Sequence, residues 1–350
     1  MFISTAGIVN PLRFRYFYSI RKAMSPDSQP KKPGSFVPRD LSSTPERVDD
    51  FFRVNGYLVL EEALAPDEID ALRAETVEFC RGRRGDLYKT AEENERFRAG
   101  VDALSDDEVQ ARVLCIHQTH KASPVMHEFL AHPAIVDVLT TVVGPNVKCM
   151  QSMLFLKAAG KPGQAWHQDE DYIPSRDRSL IGAWIALDDA NVENGCLWVI
   201  PGSHRDGILW PQYPHNDPRF DCANESYDFP YTDADAVPVE VKAGSVVFFN
   251  GYLLHRSLPN TKTTGFRRAL VNHYMRAESL LPWILQDGVG IAKMDYRDVV
   301  MVAGKDPYAF KGYRDIARPS VRPAGDGGCG DGRTDLEGFR ARPLEKRAFS

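Results

Sequence analysis

From Val147 onward the sequence is a series of short apolar runs separated by turn residues, and that series leaves few architectures open. Residues 147–157, 180–188, 196–200, 239–241, 245–249 and 267–276 each have the length and composition of a strand. Asn194-Gly195 stands between two of these runs and predicts a two-residue hairpin, and Asn250-Gly251 predicts another turn. No regular helical pattern interrupts the series, so the strands are expected to pair antiparallel in a sandwich or barrel. Helical patterns lie earlier. Thr44-Pro45 opens one that buries Val48, Phe51 and Phe52 and stops at Asn55-Gly56; a short strand follows at 57–60. Ala65-Pro66-Asp67-Glu68 opens a second, with Ile69, Leu72, Thr76 and Phe79 at helical spacing. Residues 82–111 are charged and weakly patterned, 113–116 read as a strand, and 124–142 read as one helix. Helices first and strands later predict a mainly β fold with flanking helices packed outside the sheets.

The chemistry is concentrated in 165–172, which reads A-W-H-Q-D-E-D-Y. On a strand, side chains alternate, so His167, Asp169 and Asp171 share one face. His167 with a carboxylate from Asp169, or from Asp171, offers two ligands to a divalent metal. His255 lies 86 residues beyond Asp169 and supplies a third, with Arg267 further on. A double-stranded β-helix (a jelly-roll or cupin-like barrel) brings two such distant segments to one open end. Two histidines and one carboxylate leave open positions for a 2-oxo acid and O2, the pattern of non-haem Fe(II) oxygenases; the same set also suits catalytic zinc. A 2-oxo acid needs a cation at its far end. Arg267, Ala269, Val271 and His273 share one strand face, and Arg268, Leu270, Asn272 and Tyr274 the other. Arg267 is followed by small residues that leave room for a ligand; Arg268 is its rival. Ser257 can add a hydroxyl donor. His273 reads as a core histidine, His117 and His120 as cavity wall, and His127 and His132 as surface positions.

The ends look different. Residues 1–23 mix arginines with aromatics and contain no acid, like an organelle-targeting presequence. The reading preferred here is an upstream extension with a start at Met24 and a cytoplasmic location. The expected organisation is an extension and linker over 1–43, an Fe(II)/2-oxoglutarate dioxygenase domain over 44–316, and a disordered Arg/Pro/Gly/Asp tail over 317–350. The loop around 205–235 is expected to cover the site. Net charge is −5 with signs mixed along the chain, which excludes an evident nucleic-acid stripe. No apolar run is long enough to span a membrane. The 6 cysteines form no C-x-x-C and read as reduced thiols.

Several motifs stand in a fixed order: F-F-x-x-N-G-Y-L-V-L (51–60), Q-S-M-L-F-L-K (151–157), H-Q-D (167–169), G-A-W-I-A-L-D-D-A (182–190), E-N-G-C-L-W-V-I-P-G-S-H (193–204), and H-R-S-L-P-N (255–260) leading to F-R-R-A (266–269). In these the chain resembles the phytanoyl-CoA dioxygenase family of Fe(II)/2-oxoglutarate oxygenases, over roughly residues 50–276. The resemblance implies iron held by His167, Asp169 and His255. It also implies 2-oxoglutarate contacts at Met153, Gln168, Trp184, Ser257 and Arg267. One departure is a single extra residue within 261–265. The expected activity is hydroxylation of a small-molecule C–H bond using Fe(II), 2-oxoglutarate and O2. The alternative is a non-catalytic barrel that keeps the iron site and binds or senses a small molecule. For Asp171 two roles are expected equally: facing hydroxyl or amino groups of the substrate, or pairing with Arg176 or Arg178 in the following loop.

Overall fold

The computed structural model describes residues 45–280 and 297–324. The expectations for residues 1–44 and 325–350 lie outside the described residues.

Helix α1 (Pro45–Asn55) buries Val48 and Phe52 on one face, four residues apart. It runs into β1 (Tyr57–Leu60). Helix α2 (Pro66–Cys80) starts as its sequence predicts. Pro66 is its first residue, and the Glu68 carboxylate accepts the Ala65 N–H at 2.8 Å. Its buried residues include Ile69, Leu72, Thr76 and Phe79. The charged stretch after it forms α3 (Ala91–Arg98) and α4 (Asp106–Ala111), each opened by a capping box. Strand β2 (Val113–His117) comes next. The single helix expected over 124–142 is two, α5 (Pro124–Glu128) and α6 (Pro133–Val142). Pro133 forces His132 out of the helical region, to ψ 129°.

The remaining elements are β3 (Val147–Ala158), β4 (Gln164–His167), α7 (Asp169–Tyr172), β5 (Ile181–Ala186), β6 (Leu197–Val199), β7 (Gln212–Tyr213), β8 (Glu225–Ser226), β9 (Val237–Val239), β10 (Val246–Asn250), β11 (His255–Ser257), β12 (Phe266–Arg276), β13 (Val300–Ala303) and β14 (Ser320–Pro323). A large sheet runs β1-β10-β5-β12-β3-β2-β14, with β13 also on β3; a smaller one runs β4-β11-β6-β9; β7 and β8 form a separate hairpin. Strand alternation assigns the faces of the large sheet. Leu58, Ile185, Phe248, Leu270 and Tyr274 join a core shared with α1, α2 and α6. Val59, Trp184, Val247, Phe249 and Val271 join a second core with Leu197 and Val199 of the smaller sheet. Each such Leu, Val or Phe contributes about 1.5–3 kcal/mol by its burial. The architecture is therefore helices, large sheet, small sheet: a jelly-roll sandwich with flanking helices rather than a closed barrel.

One expectation about connections needs correction. Asn194-Gly195 does not close a hairpin, because β5 and β6 belong to different sheets. It is the corner where the chain changes sheet, pinned by reciprocal bonds between Asn191 and Asn194 at 2.8 and 3.0 Å. Asn250-Gly251 does form the expected turn, with the Leu253 N–H donating to Asn250 O at 2.9 Å, and it carries the chain from β10 in the large sheet to β11 in the small one. The tail expected to be disordered from 317 is also corrected, as far as 324. Strand β14 pairs antiparallel with β2, Val321 opposite Ile116. Asp298 Oδ2 accepts the N–H groups of Ile316 at 2.8 Å and Ala317 at 2.6 Å, which brings that strand in. Its Arg- and Pro-rich composition hides a strand whose partners lie about two hundred residues upstream.

Candidate metal centre

The two histidines sit where the smaller sheet meets itself: His167 at the end of β4 is the direct register partner of His255 at the start of β11. Their rings are 4.0 Å apart. Each is oriented by its own chain. His167 Nδ1 donates to the Ala165 carbonyl at 2.8 Å, and His255 Nδ1 to the Leu253 carbonyl at 3.0 Å. A carbonyl can only accept, so each Nδ1 carries a proton and each Nε2 is turned toward Asp169. Asp169 Oδ1 lies 3.6 Å from His167 Nε2 and 3.7 Å from His255 Nε2. The ligand atoms of all three lie within 4.8 Å of one another. Burial, then the neighbouring His255, holds the His167 imidazole at a pKa of about 4, unprotonated at neutral pH. Burial would raise the Asp169 carboxyl, but the imidazoles of His255, His273 and His167 outweigh it and keep the group ionised. Two imidazoles and one carboxylate converging on one point fit a divalent ion of the Fe(II) class.

Asp169 reaches this position differently from the sequence reading. The strand ends at His167, and Asp169 begins the short helix α7. Alternation therefore stops there, and Asp171 is turned outward and exposed. Asp171 is not part of the converging group and does not line the cavity beside it. The other oxygen of Asp169 meets a residue read as plain core: His273 Nε2 donates to Asp169 Oδ2 at 3.0 Å. That role was hidden because it depends on the register of β12 against β5, where His273 lies opposite Gly182. Gly182 also has a steric duty. A Cβ there would come within 2.4 Å of the Phe249 ring, which packs 4.7 Å from the His255 ring.

A cavity of about 530 Å³ opens beside the triad. Arg267, Met153, Trp184 and Ser257 line it. The Arg267 guanidinium is buried 5.5 Å over the Trp184 ring, and its Nε donates to Gly195 O at 3.1 Å. Burial lowers its pKa to about 10, so it stays charged. Arg268 points to the opposite face and is committed there, bonding both oxygens of Asp188 at 2.8 and 2.7 Å. Gln168 does not join the cavity residues. Its side chain donates to the carbonyls of Ile208 and Tyr252 and accepts the Trp210 N–H, at 2.9, 2.7 and 2.9 Å. With these three bonds its side-chain amide anchors the 205–235 loop beside the triad.

Sequence reasoning missed another part of the wall. Asp221, from the 205–235 loop, and Arg322, from β14, both line the cavity and pair at 3.3 Å. His117 and Tyr172 lie on the same cavity wall, and the Arg322 charge acts on both. Burial holds the His117 imidazole at about 4. Gln118 Oε1 and Tyr172 Oη are buried without a hydrogen-bond partner. His120 instead bonds Ser152 Oγ through Nδ1 at 2.7 Å, which makes it structural.

The sequence model described as phytanoyl-CoA dioxygenase matches residues 52–269. A phytanoyl-CoA dioxygenase 1 of Oryza sativa subsp. japonica is 32% identical, over 65% of this chain and 88% of that protein. The peroxisomal phytanoyl-CoA dioxygenase of Rattus norvegicus is 30% identical, over 71% of this chain and 75% of that one. Among solved structures, EctD from S. alaskensis with bound Fe superposes with a TM-score of 0.54 at 21% identity, covering 72% of this chain and 86% of that one. That last likeness concerns the fold.

Proposed function

The chain belongs to the phytanoyl-CoA dioxygenase family of Fe(II)- and 2-oxoglutarate-dependent oxygenases, and on that footing we propose that it hydroxylates a small polar molecule, with His167, Asp169 and His255 holding the iron. The supporting observation is the convergence of two Nε2 atoms and one carboxylate on a single point beside the cavity. Bound iron, with O2 and 2-oxoglutarate, supplies the oxidising chemistry that releases succinate and CO2. The protein orients and excludes water. In this reading Arg267 takes the far carboxylate of 2-oxoglutarate, Trp184 and Met153 shape its slot, and Ser257 adds a hydroxyl donor. His273 holds Asp169 by its second oxygen. Free cysteines among the described residues support a reducing compartment, the cytoplasm in this reading.

His273→Ala should lower Fe(II) affinity about 10–100-fold, the usual cost of losing a partner that orients a metal ligand. The check is the Fe(II) concentration needed for half-maximal succinate release. An unchanged value would remove His273 from the centre.

For the substrate, the Asp221–Arg322 pair supports a molecule bearing polar or charged groups rather than a plain alkyl chain. A guanidinium has five donors, and Arg322 has one long bond to Asp221, so it can also bind substrate. The experiment is a screen of metabolite fractions for succinate release stimulated above the substrate-free rate, run with and without O2. Arg322→Ala should keep the substrate-free rate and lose the stimulation. Full stimulation in that variant would refute the contact, and O2-independent turnover would refute the oxygenase assignment.

A further inference from the structure

Lys157 is a buried lysine beside the triad that is not one of its members. It lies on β3 directly opposite Arg267 on β12, is 4% exposed, and lines the cavity. Among the described residues no carboxylate pairs with it. Its Nζ donates to Ser257 Oγ at 2.8 Å, to Leu258 O at 2.5 Å, and to Gly195 O at 3.5 Å. Three N–H groups thus meet three oxygens, and all three oxygens are neutral. A buried ammonium with only neutral partners is costly, and neutral donors would tie the same loops without that cost. The fold nevertheless makes room for the charge. Gly195 sits at φ +80°, and a Cβ there would lie 2.8 Å from Nζ and 2.3 Å from Leu258 O.

The bond to Ser257 has a consequence for the hydroxyl. Ser257 Oγ already accepts from Lys157 Nζ and, at 3.3 Å, from Gln164 N. Both of its lone pairs are then used, so its own proton is left to donate. Ser257 lines the cavity. Arg267 spends its Nε on the same Gly195 carbonyl that Lys157 uses, which leaves the end of its fork for a ligand. Two cationic side chains and one directed hydroxyl proton meet at one part of the cavity, a setting that favours an anion.

We propose that Lys157 is a positioning residue for the distal carboxylate of 2-oxoglutarate: it fixes the Ser257 hydroxyl as a donor and places a second positive charge beside Arg267. This rests on the assignment of Arg267 to that carboxylate. Burial, and after it the Arg267 charge, holds Lys157 well below the ordinary lysine range, a strain that an entering carboxylate relieves.

The test uses the full chain loaded with Mn(II) under anaerobic conditions, with 2-oxo acid binding measured by titration calorimetry. 2-Oxoglutarate is compared with 2-oxobutyrate, which keeps the chelating end and lacks the distal carboxylate. Lys157→Met should weaken 2-oxoglutarate about tenfold or more, the value of a charge-assisted contact, and leave 2-oxobutyrate unchanged. Ser257→Ala should cost less affinity in the Lys157→Met background than in the wild type, because the hydroxyl is then no longer held. Equal weakening of both acids would reduce Lys157 to a structural tie and overturn the proposal, as would unaltered selectivity or full additivity. If Lys157→Met does not fold, Lys157→Gln reads the same contrast. A wild-type protein that does not prefer 2-oxoglutarate would fail the Arg267 assignment itself, and this inference with it. Preference retained in the Lys157 variants would fail this inference alone.

Discussion

Asp169→Ala should abolish succinate release while leaving the fold intact. The carboxylate is the only anion among the three converging ligands, and it is held on two sides, with Oδ1 facing both imidazoles and Oδ2 bonded to His273. Without it, two imidazoles alone cannot hold Fe(II) against solvent and buffer ligands. The metal-free variant should unfold near the wild-type temperature, since a buried carboxylate is itself costly. The contrast appears on adding metal. An ion at a hundred times its Kd stabilises a protein by about 2.7 kcal/mol. That raises Tm by roughly 5 °C in a domain of this size. The wild type should show this rise under anaerobic Fe(II), and Asp169→Ala should not. Asp171→Ala is the control, because that side chain is exposed on the first turn after the ligand. A wild-type Fe(II) response in Asp169→Ala, or its loss in Asp171→Ala, would reverse the assignment.

Arg267→Ala and Arg268→Ala should separate cleanly. Truncating Arg267 leaves a buried carboxylate of the co-substrate unpaired, a loss of about 2–5 kcal/mol. The apparent KM for 2-oxoglutarate should therefore rise by roughly thirtyfold or more. Arg268 makes a two-pronged bond to Asp188 and a third to Gln110 on the other face of the same strand. Removing it should cost about 1–3 kcal/mol of stability and leave KM unchanged. Denaturant melts and KM measured on both variants decide the matter. A larger KM effect at Arg268 would mean that the extra residue within 261–265 has moved the register by one.

That contrast also shows what was legible beforehand and why. A strand repeats every two residues, so the faces of β12 could be read directly, and Arg267, Val271 and His273 do share the cavity side. The same rule failed four residues into the H-Q-D-E-D run, because the chain leaves β4 at His167 and enters α7. Nothing local in that sequence announces the change. The position of Gln168 is set by non-local partners too: its side-chain amide bonds three main-chain groups that no local pattern reveals. Asn194-Gly195 looked like a hairpin because turn chemistry is local, whereas the sheet each flanking strand joins is not. His273, Asp221 and Arg322 were hidden more deeply. Each gains its place from a partner about a hundred residues away, and composition carries no trace of such pairings.

The pairing of β14 with β2 sets an order of events during synthesis. A ribosome releases the chain from its N-terminus, and domains fold largely in that direction. The three converging side chains are all available once His255 has emerged, and the large sheet can close on β12 by Arg276. Arg322 and the edge strand that carries it come last, and they must find a partner about two hundred residues back. The cavity therefore has its oxidising centre before it has all of its walls. For that interval a nascent chain could take up metal while one side stands open to water. The segment that most resembles a disposable tail is the one that ends this exposure.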